Sequence, residues 1–201
     1  MSQHPRRTPT GAAVLQPHKT SAITEAVLDE LAEHGYGRLS MEAVAKRAGV
    51  GKSALYRRWP AKQDMVVAVL SEFSVPLAEV PDTGSLRGDL RATLRGLHGW
   101  LTHPRFARIL PDLAAEAGRN PALAREVERA VGEPRRVRGA RVLARAVERG
   151  ELPADLDVEL ALDLVAAPLY WRLSVRRVEV GEGHLDRLAE VLLRALGATD
   201  R

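Results

Sequence analysis

From Lys19 onward, apolar residues return every three or four positions and polar residues fill the gaps. That spacing is the 3.6-residue period of an amphipathic helix. The alternation of β-branched and aromatic residues that marks a half-buried strand is missing. The pattern predicts a first helix over roughly 19–34, with Ile23, Ala26, Val27 and Leu31 inward and Glu30 the one polar residue on that face. Gly35 and Gly37, flanking Tyr36, close it as glycine caps do. Ser40 then reads as an N-cap, with Glu42 in a first turn where the helix dipole favours an acid. The second helix, 41–48, is two turns long and turns Met41, Val44, Ala45 and Ala48 inward. A third, 52–58, points Leu55 and Trp59 inward and stops at Pro60. A fourth, about 61–73, buries Met65, Val66, Val69, Leu70 and Phe73.

Pro76, Pro81 and the run Asp82-Thr83-Gly84-Ser85 predict a boundary loop. Beyond it the same period predicts helices over about 86–102, 104–118, 121–132, 134–149, 157–177 and 184–196. Pro104, Pro121, Pro134 and Pro153 fall at their starts or between them, where proline is tolerated. The expected fold class is all-α, with about nine to ten helices. A three-helix helix-turn-helix domain occupies 18–62. A second helical domain occupies 63–201, with helix 63–74 as connector. Residues 1–17, rich in Pro, Thr, Gln and Arg without periodicity, read as a flexible arm.

Two short helices joined across Gly49 are the sequence form of a helix-turn-helix. Gly49 gives the backbone freedom for the turn. The second of the two helices projects Lys52, Ser53, Ala54, Arg57 and Arg58 outward, and such a helix has the width of the DNA major groove. Charge points the same way. Residues 43–63 hold Lys46, Arg47, Lys52, Arg57, Arg58 and Lys62 and no acid. A one-signed stretch within a folded region is a phosphate-binding candidate.

Composition narrows the alternatives. The chain has 201 residues, 45% hydrophobic and 28% charged, which is enough apolar material for a core. The absence of cysteine removes disulfides, Cys-based zinc sites and thiol nucleophiles. The longest apolar run, Leu164 to Trp171, is far short of the ~20 residues that span a bilayer. Residues 1–10 lack the apolar stretch of a secretory signal. The expectation is a cytoplasmic protein without a membrane partner. Gly51-Lys52-Ser53 invites a P-loop reading, but Lys46 stands where the upstream glycine belongs. Gly49-Val50-Gly51-Lys52-Ser53-Ala54 fits a loose dinucleotide fingerprint but follows a helix, not a strand. No Gly-x-Ser-x-Gly or His-Glu-x-x-His occurs. No enzyme and no cofactor are expected. His98 and His103 lack an acidic partner at metal spacing, so no metal site is expected either.

Residues 19–70 resemble the DNA-binding domain of the TetR/AcrR family of bacterial transcriptional regulators. The resemblance rests on Ala-Glu-His-Gly-Tyr from Ala32, on Ser40-Met-Glu-Ala-Val-Ala-Lys-Arg-Ala-Gly-Val, and on Lys52-x-x-Leu-Tyr-x-x-Trp-x-x-Lys62. The remainder is similar in layout to the family's ligand-binding and dimerisation domain, with Arg149-Gly-Glu-Leu and Leu169-Tyr-Trp-Arg-Leu as a weaker match. The resemblance implies that Ser40 contacts a phosphate and that Lys52, Ser53 and Ala54 face bases. It also implies that the Tyr56 hydroxyl and Lys62 hold the backbone. Two positions depart from the family. Gly51 stands where Ser or Thr usually caps the recognition helix, and Arg57-Arg58 stand where an aromatic or histidine is common, which favours stronger backbone binding. Arg6 and Arg7 are within reach of a minor groove, but a flexible arm is the simpler reading.

The resemblance further implies a homodimer on a palindromic double-stranded operator, most often a repressor, released by a hydrophobic or amphipathic small-molecule effector. An activator of the same fold, or a helical protein-interaction module, is the alternative. For the effector pocket the large side chains Leu97, Trp100, Leu101, Phe106, Leu110, Leu113, Tyr170 and Trp171 are the candidates. For the dimer interface the candidates are Leu164, Leu169, Leu185, Leu188, Leu192 and Leu196, on two helices apolar around much of their circumference. The basic run Arg135, Arg136, Arg138, Arg141 and Arg145 reads as a solvated helix face.

Overall fold

A computed structural model describes residues 17–76 and 82–199 of the chain. The expected arm, including Arg6 and Arg7, lies almost wholly outside the described residues. The described residues are helical throughout, with no strand. The first helix, α1 (Pro17–Arg38), starts earlier and ends later than the periodicity predicts. The reason is Gly35, at φ 74°, which kinks the backbone and lets one more turn follow. The carboxylate of Asp112 sits against that kink. A Cβ on Gly35 would lie 2.7 Å from Asp112 Oδ1. Both the left-handed φ and the contact therefore require glycine.

Helices α2 (Met41–Arg47) and α3 (Lys52–Arg58) follow where expected. Gly49, at φ 65°, makes the turn between them. Arg47 fastens α2 to α1, donating to Glu30 at 2.8 Å and to Glu33 at 2.6 and 3.0 Å. Helix α4 (Lys62–Ser74) leads out of this unit. Helices α5 (Leu86–Thr102), α6 (Phe106–Ala117) and α7 (Pro121–Val127) follow. A π-helical turn, Glu128–Gly132, joins α7 to α8 (Glu133–Glu148). The helix expected over 157–177 is α9 (Val158–Tyr170) plus a π-helical turn, Trp171–Val175. Pro168 lies just before that widening and removes one N–H from the ladder. Helix α10 (Glu182–Ala195) closes the order.

Two hydrophobic cores form. One joins α1–α4 with Phe106, Ile109 and Leu113 of α6 and Leu123 of α7. The other joins α5, α8, α9 and α10. Trp100 and Leu110 touch both. The apolar packing thus runs past residue 62, and α4 and α6 share a core with the N-terminal helices.

Four of the leucines expected at a dimer interface fill the second core instead. Leu169, Leu185, Leu192 and Leu196 are buried within the protomer. Leu188 is half-buried, and Leu164 is exposed. The helices are apolar on two sides, and these four leucines lie on the inner one. The outer side carries Leu160, Leu164, Trp171, Val175 and Val191, all exposed.

Candidate nucleic-acid interface

The outer face of α3 is built as the sequence predicts. Leu55 is fully buried and Trp59 nearly so, which anchors the helix. Lys52, Ser53, Arg57 and Arg58 are exposed, Tyr56 is 44% exposed and Ala54 is half-buried. Ser40 caps α2, its Oγ accepting from the Ala43 N–H at 3.1 Å. Gly51 occupies the cap position of α3 and offers no side-chain hydrogen bond. Arg58 lies over the Trp59 ring at 4.3 Å and donates to Thr20 Oγ1 at 3.2 Å. That pins one of its guanidinium nitrogens close to the fold.

Lys62 is differently placed. Its ammonium donates to the carbonyls of Tyr36 at 2.9 Å and Gly37 at 3.4 Å, and it sits 4.4 Å from the Tyr36 ring centroid. It closes the C-terminus of α1, where a cation suits the dipole. One of its three N–H donors remains for anything else.

The sequence places Glu42 in the first turn of α2 but does not show what it touches. Its carboxylate accepts from Lys52 Nζ at 2.8 Å and from the Tyr56 hydroxyl at 3.4 Å. The Lys52 ammonium beside it holds its carboxyl below the usual range. The stretch 43–63 is free of acids along the chain, but the crossing of α2 and α3 puts an acid beside Lys52.

A cavity of about 390 Å³ opens where the two cores meet. Leu97, Trp100, Phe106, Leu110 and Leu113 line it, with Leu70 and Ser74 of α4 at its border. Leu101, Tyr170 and Trp171, expected there, do not. Leu101 shares its helix phase with Leu90 and Leu94 and packs into the second core. Tyr170 and Trp171 follow Leu169 around the helix and fall on the outer side, Trp171 being 57% exposed. The π-helical turn 128–132 contributes Glu128, Val131 and Gly132 to the wall. Such turns often accompany functional sites.

The basic run on α8 is not a solvated face at Arg135 or Arg145. Arg135 lies 4.0 Å over the Trp100 ring and donates to the Ser74 carbonyl at 2.6 Å. Burial, with Arg138 nearby, pushes its guanidinium down to about 10. Arg145 and Arg149 converge on Asp89, which has no exposed surface. His103 packs edge-on against Phe73 and Phe106. Among the described residues no group of three His, Asp or Glu is arranged to hold a metal ion. No described helix is long and apolar enough to cross a membrane.

Residues 23–69 match the family of bacterial regulatory proteins named tetR, and residues 80–192 match the tetracyclin repressor-like C-terminal domain. The chain belongs to the TetR family. The DNA-binding transcriptional repressor TetR of Mycobacteroides abscessus is 34% identical to it, over 89% of this chain and 93% of that one. The crystal structure of the TetR family transcription regulator SCO0332 superposes with a TM-score of 0.72 at 29% identity. It covers 88% of this chain and 97% of its own. The flavonoid-responsive regulator FrrA superposes with a TM-score of 0.71 at 25% identity, over 92% and 100%. This TetR-family protein is therefore a transcriptional regulator with a DNA-binding helix-turn-helix, α2–α3, and an all-helical C-terminal domain.

Proposed function

We propose that this TetR-family protein is a cytoplasmic homodimeric repressor, not an enzyme, that lets go of a palindromic operator when a small amphipathic molecule enters the inner cavity. The observation that carries the reading is the cavity's position. Its wall includes Leu70 and Ser74 of α4, the helix that leads out of the DNA-binding unit, and three residues of α6. The opposite side of α6 grips α1. Asp112 accepts the Tyr36 N–H at 2.7 Å, and Arg105 pairs with Glu25 at 2.6 Å and Asp29 at 2.8 Å. A molecule that parts α4 from α6 re-aims α3. A ligand shifts such an equilibrium by as much as it prefers one geometry.

On DNA, Lys52, Ser53 and Ala54 face base edges, while Ser40, Tyr56, Arg57 and Arg58 hold phosphates. Lys62 adds its remaining donor. Two copies meet through the outer sides of α9 and α10, which carry Leu160, Leu164, Trp171 and Val191. The two α3 helices then span half-sites about 34–36 Å apart.

Selection of bound duplexes from a random library tests this directly, followed by anisotropy titration at several salt concentrations. The expected product is an inverted repeat bound at least about a thousandfold tighter than scrambled DNA. Equal, salt-labile binding to every sequence would sink the operator reading.

A further inference from the structure

Resting on the effector reading of the inner cavity, the structure assigns that cavity to a monoanionic amphipath, an apolar chain ending in a carboxylate received by Arg135. The apolar part of the wall includes Leu97, Phe106, Leu110 and Leu113. A greasy ligand of either charge, or of none, suits it equally. The polar part discriminates. Arg135 lines the cavity, and among the described residues no carboxylate pairs with it. Its partners are one carbonyl and one ring face, and neither neutralises a cation. Burial already disfavours its charge. The neighbouring Arg136 differs in this respect, because Asp163 and Glu159 hold it from outside.

A second donor wants an acceptor. Trp100 also lines the cavity, and its buried Nε1 has no hydrogen-bond partner. An orphaned buried donor is costly, and one beside an unpaired cation is a site that attracts oxygen with negative charge. A cationic ligand meets Arg135 as a like charge. A neutral one leaves the guanidinium as it was. Glu128 reaches the same wall but is exposed and folds over Gly132. Being exposed, it keeps its hydration, and water weakens its repulsion of an anion seated against the buried Trp100 Nε1.

Calorimetric titration of the full chain with decanoate, decanol and decyltrimethylammonium, each below its micellar concentration, reads the charge preference without DNA. Decanoate is expected to bind about tenfold or more tightly than decanol, with no heat from the cation. R135M keeps the length of the side chain over Trp100 and removes its charge. It should abolish the decanoate preference and leave decanol within about twofold, whereas R135K should retain the preference. Decanol binding as well as decanoate, or an R135M chain that still prefers decanoate, overturns the assignment. No binding of any probe overturns both this assignment and the effector reading. Decanoate binding that leaves a selected operator bound upholds the anion site and overturns only the effector reading.

Discussion

Glu42 is the residue whose position most changes the reading of the DNA face. DNA approaching Lys52 with a base edge and Tyr56 with a phosphate must displace a carboxylate that both already engage. E42Q removes the competing charge. It should tighten binding to any duplex and steepen the salt dependence by about one ion equivalent, measured as the slope of log K against log salt. Stability should hardly move, because exposed pairs contribute little. An unchanged slope would mean that the Glu42 carboxylate does not compete with DNA. Asp89 is the opposite case, a carboxylate with no exposed surface. Burial alone raises its pKa. The backbone and hydroxyl of Thr83 at 2.8 and 2.7 Å and the Arg149 guanidinium at 3.1 Å outweigh that and hold the carboxyl low. Its folded value lies below its unfolded one. It therefore contributes stability above about pH 4, lost as pH falls through the folded value. D89A should cost about 3 kcal/mol in urea unfolding at pH 7, because Arg145 and Arg149 lose their buried partner. The deficit should shrink on acidification toward pH 2.

At the scale of elements, periodicity located every described helix, because one inward stripe suffices to show it. Boundaries moved where a backbone event, not a side-chain pattern, decided them. Gly35 kinks α1 without ending it, and two π-helical turns interrupt stretches that read as continuous. Interface and core leucines on α9 and α10 could not be told apart, since both sides of those helices are apolar and only packing against α5 and α8 selects one. The partners of Arg135 and Glu42 were equally illegible, being made across helices. The Gly35–Asp112 contact is one point where α6 packs against α1. G35A forces a Cβ into the Asp112 carboxylate at a left-handed φ, so it should cost about 1–3 kcal/mol in thermal unfolding. D112A spares the backbone strain and removes only the acceptor for the Tyr36 N–H. Its expected signature is operator affinity that responds less to the effector. Full response in D112A would place the coupling through α4 alone. Gly51 is the contrary glycine. Its φ of −71° suits any residue, and a Cβ there meets nothing within 4 Å. G51S should therefore add a cap to α3 and gain a few tenths of a kcal/mol.

For the molecule as a whole, the proposed dimer rests on the exposed apolar side of α9 and the turn that follows it. Leu160, Leu164, Trp171 and Val175 recur at helical spacing along one side, and Trp171 alone leaves 57% of its surface to water. A single exposed apolar residue needs no explanation, but a continuous row on a terminal helix pair does. The row is flanked by charge, with Asp163 and Glu159 engaged by Arg136 on one border. That leaves an apolar centre with a polar rim, the anatomy of a protein–protein contact. A two-fold arrangement places the same side of α9 and α10 from each copy together, so one substitution is felt twice. L164E with W171E puts four carboxylates into a desolvated centre while touching no residue of either core. The expected outcome is a monomer by sedimentation with an unchanged helical spectrum. Its affinity for the full palindrome should fall to that of an isolated half-site, while the contacts of α3 within that half-site persist. A double variant that still sediments as a dimer would move the interface elsewhere and leave the apolar row on α9 without a partner.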